Sequence, residues 1–487
     1  MSKAIEGLEP KLVWEYFYGI TQVPRPSKKE EKIRAHVRDF AVKNNFKFIE
    51  DEVGNIVIKV PATVGYENAP TIVIQGHLDM VCEKNKDTKH DFENDPIKIF
   101  RDGDWITAEE TTLGADNGIG VAAGMAVATD DSAIHGPLEL LCTIDEETGM
   151  TGVNALKSDF ITGKTLLNLD SEEDGAFYVG CSGGQDTRGY FKLEQIDIDK
   201  SLSAYELMIT GLKGGHSGLD VANGRANAIR LLAQLLNRIK GDIVFDLSSI
   251  SGGSLRNAIP REAEVIILIN SSDELKVKDI IDQFVSDSLL EFSLNDPGLK
   301  VKFEKKSTSN NKMFTKEFVS NLIKVLLATP HGIMAMSPDI PDLVETSTNL
   351  ATIEVADDQL VIGTSQRSAI DSAKWDVSNA VQSVFELGGA VRVDTGDGYP
   401  GWQPNMESQL LKTSKEVYKD MFNNEPEIKA IHAGLETGLL GSKYPGLDMI
   451  SFGPTIEGAH SPDERLQINA TAKFYSLLKG ILLRYTK

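Results

Sequence analysis

The sequence contains few cysteines and no long apolar run. Its three cysteines, Cys82, Cys142 and Cys181, have no CxxC spacing and cannot all pair within one chain. This usage fits a reducing compartment rather than a disulfide-stapled scaffold. No apolar stretch approaches the ~18 residues of a membrane-spanning helix, and the N-terminal segment lacks the apolar core of a signal peptide. We therefore expect a cytoplasmic protein with no membrane partner.

Positive charge is also scarce. The chain has 50 Lys and Arg residues against 72 Asp and Glu residues, which gives a formal net charge of −22. Nucleic acid is an unexpected partner for such a chain, because phosphate binding needs a basic surface. The acidity either serves solubility or reflects carboxylates gathered around cations, and composition alone leaves both interpretations open.

The first part of the chain alternates strand and helix patterns. Short apolar runs at 71–76, 138–144 and 165–170 are typical of buried strands, and amphipathic or small-residue stretches at 28–45 and 117–129 predict helices. This alternation predicts an α/β fold, a sheet with helices on both faces.

The pattern changes in the middle of the chain and then returns. From 187 to 397 the strands alternate polar and apolar residues, which predicts an α+β unit with one sheet face in water. The α/β pattern resumes after the Gly- and Pro-rich segment near 396–404. We therefore expect one α/β domain, 1–186 and 398–487, interrupted by an inserted domain at 187–397. Helices are predicted at 223–240, 275–290, 315–328 and 407–421, and from 465 onwards.

A histidine and an aspartate follow the first buried strand. His77 comes directly after TIVIQG, and Asp79 lies two residues further on. The carboxyl end of a strand is where α/β sheets present ligands, and a carboxylate can hold the second ring nitrogen of a metal-bound histidine. The alternative is a hydrogen-bonded surface pair without a metal.

Other ionisable residues follow strands or Gly-rich turns in the same domain. Each acid alone is commonly a helix cap or a solvated loop charge, but several at one sheet edge repel each other unless cations neutralise them. Histidine and carboxylate ligands together suit zinc, with cobalt or manganese as substitutes. These further candidates are Asp116, Asp145, Glu146, Glu147, Asp170, Glu172, Glu173, Asp174 and His460.

Five ordered motifs resemble a known peptidase family. GHLDMV, TTLGADNGIG, IDEETGMTG, NLDSEED and EGAHS follow each other as in the co-catalytic zinc peptidases of the M20 family. The nearest likeness is to the aminoacyl-histidine, or cytosol non-specific, dipeptidases, and it extends over essentially the whole chain. The resemblance implies a catalytic domain that has a mixed sheet and is interrupted by an α+β lid domain. It also implies hydrolysis of dipeptides with free amino and carboxyl termini, and these dipeptides include Xaa-His and β-Ala-His.

The resemblance also implies two zinc ions per chain and their ligands. His77, Asp116 and Asp170 would hold one ion, and Asp116, Glu147 and His460 would hold the other, so that Asp116 bridges the pair. Such a pair lowers the pKa of water towards neutrality and polarises the substrate carbonyl.

Two further carboxylates receive roles from the same motifs. Glu146 would be the general base, and Asp79 would orient His77. Adjacent Glu146 and Glu147 fit a division between proton transfer and metal binding, because neighbouring side chains at a strand end point in different directions.

The inserted domain resembles the family's lid, which also mediates dimerisation, so a homodimer is expected. His216 in GGHSG would reach the scissile carbonyl and Asn257 would lie near it. Arg367 would bind the terminal carboxylate of the substrate, which its planar fork fits. Gly434 would offer backbone groups to the substrate.

Two of these roles have alternatives. His216 could only cap a glycine-rich turn, and Arg367 could form a surface salt bridge. The strand after the NAIP turn, where simpler relatives carry their arginine, has none here.

Two motif matches and two rival functions are set against this interpretation. Ser182 in GCSGG fits a nucleophile elbow, but no helix is predicted after it, so it is expected in a turn. Gly118, Gly120 and Gly124 miss the dinucleotide-binding pattern and suit close helix packing. The rival functions are an N-acyl amino acid deacylase or carboxypeptidase of the same fold, and a non-catalytic peptide-binding protein.

Overall fold

The structure, a computed structural model, describes residues 3–306 and 311–486 and divides into two compact units. The first unit comprises Met1–Gly180, Pro404–Ala430 and Leu435–Lys487. The second unit comprises Cys181–Gln403 and Ile431–Gly434. No helix among the described residues is long and apolar enough to cross a membrane.

The α-helices and strands are numbered here in chain order. The helices are α1 Lys11–Thr21, α2 Glu31–Lys43, α3 Ala115–Val127, α4 Glu146–Gly149, α5 Thr151–Ala155, α6 Ala228–Asp242, α7 Glu274–Phe292, α8 Lys316–Ala328, α9 Asp371–Leu387, α10 Gln409–Phe422, α11 Glu436–Lys443 and α12 Ile468–Arg484. The strands are β1 Lys47–Glu50, β2 Ile56–Val60, β3 Ile72–His77, β4 Ile99–Asp102, β5 Trp105–Ala108, β6 Leu138–Thr143, β7 Thr165–Asn168, β8 Ala176–Cys181, β9 Gly183–Lys192, β10 Gln195–Asp197, β11 Ser203–Thr210, β12 Gly215–His216, β13 Asp246–Gly252, β14 Ala258–Ile259, β15 Ala263–Ile269, β16 Lys300–Lys305, β17 Lys312–Phe314, β18 Gly332–Met336, β19 Val344–Ala356, β20 Gln359–Ser368, β21 Arg392–Thr395, β22 Glu427–Ile431, β23 Asp448–Ser451, β24 Ile456–Glu457 and β25 Arg465–Gln467.

The first unit is built on an eight-stranded mixed sheet in the order β1-β2-β6-β3-β7-β23-β8-β22. Strand β3 pairs in parallel with both β6 and β7, so the carboxyl ends of these three strands meet at one edge. Every residue of β3 and β6 is buried, as expected for continuous apolar runs, and α3 packs against both strands. The sheet and its helices confirm the predicted α/β class.

Close packing accounts for two of the three glycines of α3, Gly118 and Gly120, whereas a Cβ at Gly124 would make only ordinary contacts. A Cβ at Gly120 would lie 2.5 Å from the carbonyl oxygen of Leu169, and one at Gly118 would lie 2.8 Å from the Arg25 guanidinium. Ser182 lies between strands β8 and β9, and no helix follows it. Neither motif therefore has the context that a cofactor site or a nucleophile elbow requires.

Two helices of the first unit differ from the sequence-based expectation. The last helix begins at Ile468 rather than at 465, because Arg465–Gln467 pairs as a strand with β5. Helix α1 was not predicted, although its buried residues Val13, Trp14, Phe17 and Ile20 have helical spacing.

The second unit is an α+β unit. Within residues 3–306 and 311–486 its main sheet has nine strands, which pair antiparallel. Strands such as β9 alternate buried and exposed residues, because one face packs against helices. Apolar side chains from α6, α7, α8 and α9 form one core with that face, among them Leu232, Phe284, Leu326 and Phe385. The predicted insertion, 187–397, lies within Cys181–Gln403.

Candidate metal centre

Ionisable side chains gather where the three parallel strands end. His77 is the last residue of β3. Glu146 lies three residues beyond the end of β6, and Asp170 lies two residues beyond the end of β7. Because the carboxyl ends of neighbouring parallel strands meet at one edge, residues far apart in sequence come together here.

Asp116, near the start of α3, lies between the two candidate histidines. Its Oδ1 is 3.1 Å from Nε2 of His77, and its Oδ2 is 3.1 Å from Nε2 of His460. Each histidine also faces a second carboxylate: Asp170 Oδ1 is 3.3 Å from His77 Nε2, and Glu147 Oε2 is 3.1 Å from His460 Nε2. The structure therefore brings all five predicted ligands together as two triads that share Asp116.

The donor set fits divalent cations. In each triad, ligand atoms from the three residues lie within 4.8 Å of one another. Oε1 of Glu147 is buried and has no hydrogen-bond partner among the described residues, which leaves it free for a cation. Imidazole and carboxylate together suit zinc and its neighbours in the first transition row.

Several groups of this cluster, His77, Asp170 and Glu146 among them, have raised pKa values. Burial lowers the pKa of His77, but Asp170 and Asp116 outweigh it and raise that pKa well above its usual value. Burial raises the pKa of Asp170 to about 7, and it raises the pKa of Glu146 well above the usual range. Cation binding at such a site releases protons, because the ligands must be deprotonated.

Asp79 holds the turn that carries Glu146 and Glu147. Its carboxylate accepts hydrogen bonds from the backbone N–H groups of Glu146 (3.0 Å) and Glu147 (3.2 Å), and from the Ser27 hydroxyl (2.7 Å). Burial opposes ionisation of Asp79, but contacts with His77 and these donors lower its pKa to about 2. Nδ1 of His77 lies 3.2 Å from the Asp79 carbonyl and 3.4 Å from its carboxylate. Asp79 therefore contacts His77 as predicted, and it also fixes the neighbouring turn.

Arg25 connects two loops of the site and was not predicted. The guanidinium is buried and donates to the carbonyl oxygens of Leu78 (2.9 Å), Asp79 (2.7 Å) and Gly114. It thus joins the loop after β3 to the turn that precedes α3. An arginine in the ordinary context VPRPS carries no sequence signal for this role.

Glu464 fixes the backbone before Asp116. Its buried carboxylate accepts hydrogen bonds from the N–H groups of Leu113 (2.7 Å), Gly114 (2.9 Å) and Ala115 (2.7 Å). These donors lie at the start of α3, where a carboxylate is favoured. Glu464 was not predicted; its position four residues after His460 is the sequence signal that could have indicated it.

Glu436 lies behind the strand ends and was also missed. It is fully buried, and its Oε2 accepts from Gln75 Nε2 (2.6 Å) and from the Thr143 hydroxyl (2.7 Å). Burial raises its pKa to about 8. The carboxyl group therefore connects β3 and β6 close to their ligand-bearing ends.

Candidate residues of the second unit form a separate cluster around His216. Its Nδ1 accepts from the backbone N–H groups of Gly218 (3.2 Å) and Leu219 (3.1 Å), so the neutral ring carries its proton on Nε2. Burial, with a contribution from Arg367, lowers the pKa of His216 to about 4. At neutral pH this residue is a hydrogen-bond donor through Nε2.

Arg367 is buried without a carboxylate partner. Only 7% of the residue is exposed, and it forms no ion pair within residues 3–306 and 311–486. Nη1 donates to the Tyr399 hydroxyl at 3.2 Å, and Nε lies 3.5 Å from Ser217 Oγ. A buried guanidinium that no described carboxylate neutralises is suited to an anionic ligand.

The remaining candidates lie beside these two side chains. The carbonyl of Asn257 accepts from the Ser217 N–H at 2.8 Å, and Gly434 lies against the Tyr399 ring. His432, for which the sequence indicated no role, is buried here with Nε2 2.7 Å from Ser347 Oγ. The second unit therefore brings together the three predicted residues of the inserted domain and Gly434, which was expected in the α/β domain but belongs to this unit.

The fold and the cluster at the strand ends define an α/β protein with candidate metal ligands at one edge of a mixed sheet. The chain is 38% identical over 475 residues, 98% of its length and 98% of the relative's, to the cytosol non-specific dipeptidase of Escherichia coli. It superposes on the aminoacylhistidine dipeptidase of Vibrio alginolyticus with a TM-score of 0.91 and 39% identity, covering 98% of this chain and 97% of that one.

Two other matches agree with these. Residues 200–288 match the peptidase dimerisation domain of the M20 family. The aminopeptidase PepT of Bacillus cereus, 16% identical over 99% of this chain and 100% of its own, shares the fold with a TM-score of 0.57. The chain belongs to the M20 family of metallopeptidases. This confirms the family and the inserted-domain fold predicted from the five motifs.

Proposed function

We propose that this metallopeptidase hydrolyses dipeptides with free amino and carboxyl termini, Xaa-His and β-Ala-His included, with two zinc ions per chain. The observation that carries the proposal is the position of Asp116, whose two oxygens face His77 and His460. The names of the two relatives that are 38% and 39% identical to this chain support dipeptides as the substrate.

The ligands divide into two sets that share one carboxylate. His77 and Asp170 would hold one ion, Glu147 and His460 would hold the other, and Asp116 would be the carboxylate common to both sets. The chemistry that such a pair supplies when bound is polarisation of the peptide carbonyl and a lowered pKa of water. Cobalt or manganese can take the place of zinc, since imidazole and carboxylate ligands accept all three.

Glu146 transfers the proton. Oxygen and nitrogen ligand atoms of Glu146, His77 and Glu147 lie within 4.8 Å of one another, so its carboxylate is next to the metal ligands. It takes a proton from the attacking water and delivers it to the leaving amine. Asp79 holds the backbone of Glu146 and so fixes where this carboxylate lies.

The second unit supplies groups for the rest of the substrate. Arg367 binds the C-terminal carboxylate through its planar fork. His216 donates from Nε2 to the scissile carbonyl oxygen, where negative charge develops in the transition state. Asn257 and Gly434 lie beside these two residues and contact the substrate from the same side.

A substrate panel tests the proposal against its rivals. Purified protein is loaded with zinc, cobalt or manganese and assayed with Xaa-His dipeptides, β-Ala-His, N-acetyl amino acids and longer peptides. Cleavage of free dipeptides in preference to N-acetyl amino acids is expected. The reverse preference would indicate a deacylase or carboxypeptidase, and binding without turnover would indicate a peptide-binding protein.

Arg367→Ala is expected to raise KM for free dipeptides with little change in kcat. The lost contact is to a carboxylate that is present in ground and transition states alike, so uniform binding is lost first. Steady-state kinetics with a free dipeptide and its C-terminal amide checks this. The amide should be a poor substrate of the wild type; equal cleavage of acid and amide would remove the carboxylate role from Arg367.

His216→Ala is expected to lower kcat more than it raises KM. Loss of one donor to a developing oxyanion costs ~10²–10³-fold in kcat. The variant must first be shown to be folded and metal-loaded, because Nδ1 of His216 also caps the turn at Gly218 and Leu219. An unchanged kcat with a lower melting temperature would leave His216 only its turn-capping role.

The chain forms a homodimer and is cytoplasmic in this proposal. The match of residues 200–288 to a dimerisation domain supports the homodimer. Three free cysteines and the cytosolic relative support the cytoplasm as the compartment. Sedimentation equilibrium should give twice the chain mass of 53.2 kDa; a single-chain mass at micromolar concentration would contradict the dimer.

A further inference from the structure

Two hydrogen-bond donors, one on Arg367 and one on His216, face each other in the second unit. Nη2 of Arg367 lies 3.5 Å from Nε2 of His216. Because Nδ1 of His216 already accepts two backbone N–H groups, the ring proton is on Nε2, and two donors face each other. Two donors at this distance favour an acceptor that both can reach, most readily an anionic oxygen.

Tyr399 adds a third donor to this group. Its hydroxyl oxygen accepts from Nη1 of Arg367 at 3.2 Å. A phenol carries one proton as well as its acceptor lone pairs, and no acceptor for that proton is found in the described part of the chain. An oxygen that accepts from a guanidinium becomes a better donor, because hydrogen bonds in a chain polarise one another.

The backbone of Tyr399 is fixed. Its N–H donates to the Gly184 carbonyl at 2.9 Å, and its carbonyl accepts from the Gly184 N–H at 3.1 Å. The same carbonyl accepts from Nζ of buried Lys374 at 2.6 Å. The tyrosine therefore enters the cluster from a rigid position.

Two glycines make room for the ring. A Cβ at Gly184 would lie 2.5 Å from Cε1 of Tyr399, and a Cβ at Gly434 would lie 2.8 Å from Cε2. Both distances are shorter than real Cβ contacts, so each position accepts only glycine while the ring keeps this place. Glycine at 434 thus has a steric reason that is independent of any backbone contact with substrate.

We propose that Tyr399 is a specificity-determining residue, whose hydroxyl donates to the same C-terminal carboxylate that Arg367 binds. This inference rests on the carboxylate role proposed for Arg367. The two side chains form one recognition unit, in which the tyrosine accepts from the guanidinium and donates to the substrate. Selection of a free carboxylate over an amide therefore requires both residues.

Tyr399→Phe keeps the ring between the two glycines and removes only the hydroxyl. One hydrogen bond to a charged group is lost, so KM for a free dipeptide should rise roughly ten-fold. The C-terminal amide gains little from this donor, so the wild-type preference for acid over amide should fall by a similar factor. Tyr205→Phe is the matched control, since it removes a hydroxyl bonded to Glu274 in the same unit, away from this cluster.

The experiment measures KM and kcat for a free dipeptide and its amide in wild type, Tyr399→Phe, Arg367→Ala, the double variant and Tyr205→Phe. Tyr399→Phe should raise KM by a smaller factor once Arg367 is removed, because the guanidinium no longer polarises the phenol and the two contacts are coupled. If Arg367→Ala raises KM and Tyr399→Phe does not, the tyrosine has no part in recognition and the proposed function stands. If Arg367→Ala leaves KM unchanged, the carboxylate role fails for both residues, while hydrolysis of dipeptides by the wild type remains a separate result.

Discussion

Glu146→Gln is expected to retain both metal ions and to lose ~10²–10⁴-fold in kcat, the usual cost of removing a general base. Glutamine keeps the size of the side chain and the backbone hydrogen bond to Asp79, which is donated by the N–H group of residue 146. It cannot take up a proton from water. Metal analysis together with steady-state kinetics on one dipeptide measures both parts of the prediction.

A nearby glutamate provides the control for this substitution. Glu173 is bonded to Tyr178 (2.9 Å) and to Lys429 (2.6 Å) and belongs to none of the candidate metal triads. Glu173→Gln should keep kcat close to that of the wild type. If Glu146→Gln turned over dipeptides as fast as this control, Glu146 would not be the base.

Asp116→Ala is expected to remove metal and, with it, all measurable hydrolysis. Both oxygens of Asp116 face ligand histidines, so its loss weakens both triads at once. Asp170→Ala is the informative comparison, because Asp170 contacts His77 and belongs to one triad only. Two tightly bound ions per chain in Asp116→Ala would contradict the bridging role.

Zinc titration of the two variants separates their effects. Asp170→Ala should keep one tight site, formed by Asp116, Glu147 and His460, and Asp116→Ala should keep none. Circular dichroism establishes that each variant is folded before the titration. Equal affinity and stoichiometry in both variants would mean that the two triads do not share a ligand.

The positions of the candidate metal ligands were largely predictable, because these residues occupy strand ends within recognisable motifs. His77, Glu147 and Asp170 follow apolar runs whose strand character is evident from sequence, and parallel pairing brings those ends together. His460 and Asp116 lie in Gly-containing turns that the ordered motifs identify. The fold class followed from the same alternation of strand and helix patterns.

The residues that support the ligands were not predictable by the same reasoning. Glu464 bonds to backbone groups about 350 positions away, and Glu436 bonds to Gln75 across 361 positions. Isolated acids at helix starts or in loops are common, and nothing in their spacing indicates such partners. Tyr399 is a similar case, since its role depends on glycines at 184 and 434 that only the folded chain brings to either side of its ring.

Zinc titration of metal-free protein, with β-Ala-His hydrolysis followed at each step, tests the central claim most directly. The metal-free protein should be inactive, and activity should return as zinc binds and reach its maximum at two ions per chain. N-acetyl amino acids should remain poor substrates throughout the titration. Hydrolysis of the dipeptide by metal-free protein, or full activity without bound zinc, cobalt or manganese, would contradict a metal-dependent dipeptidase.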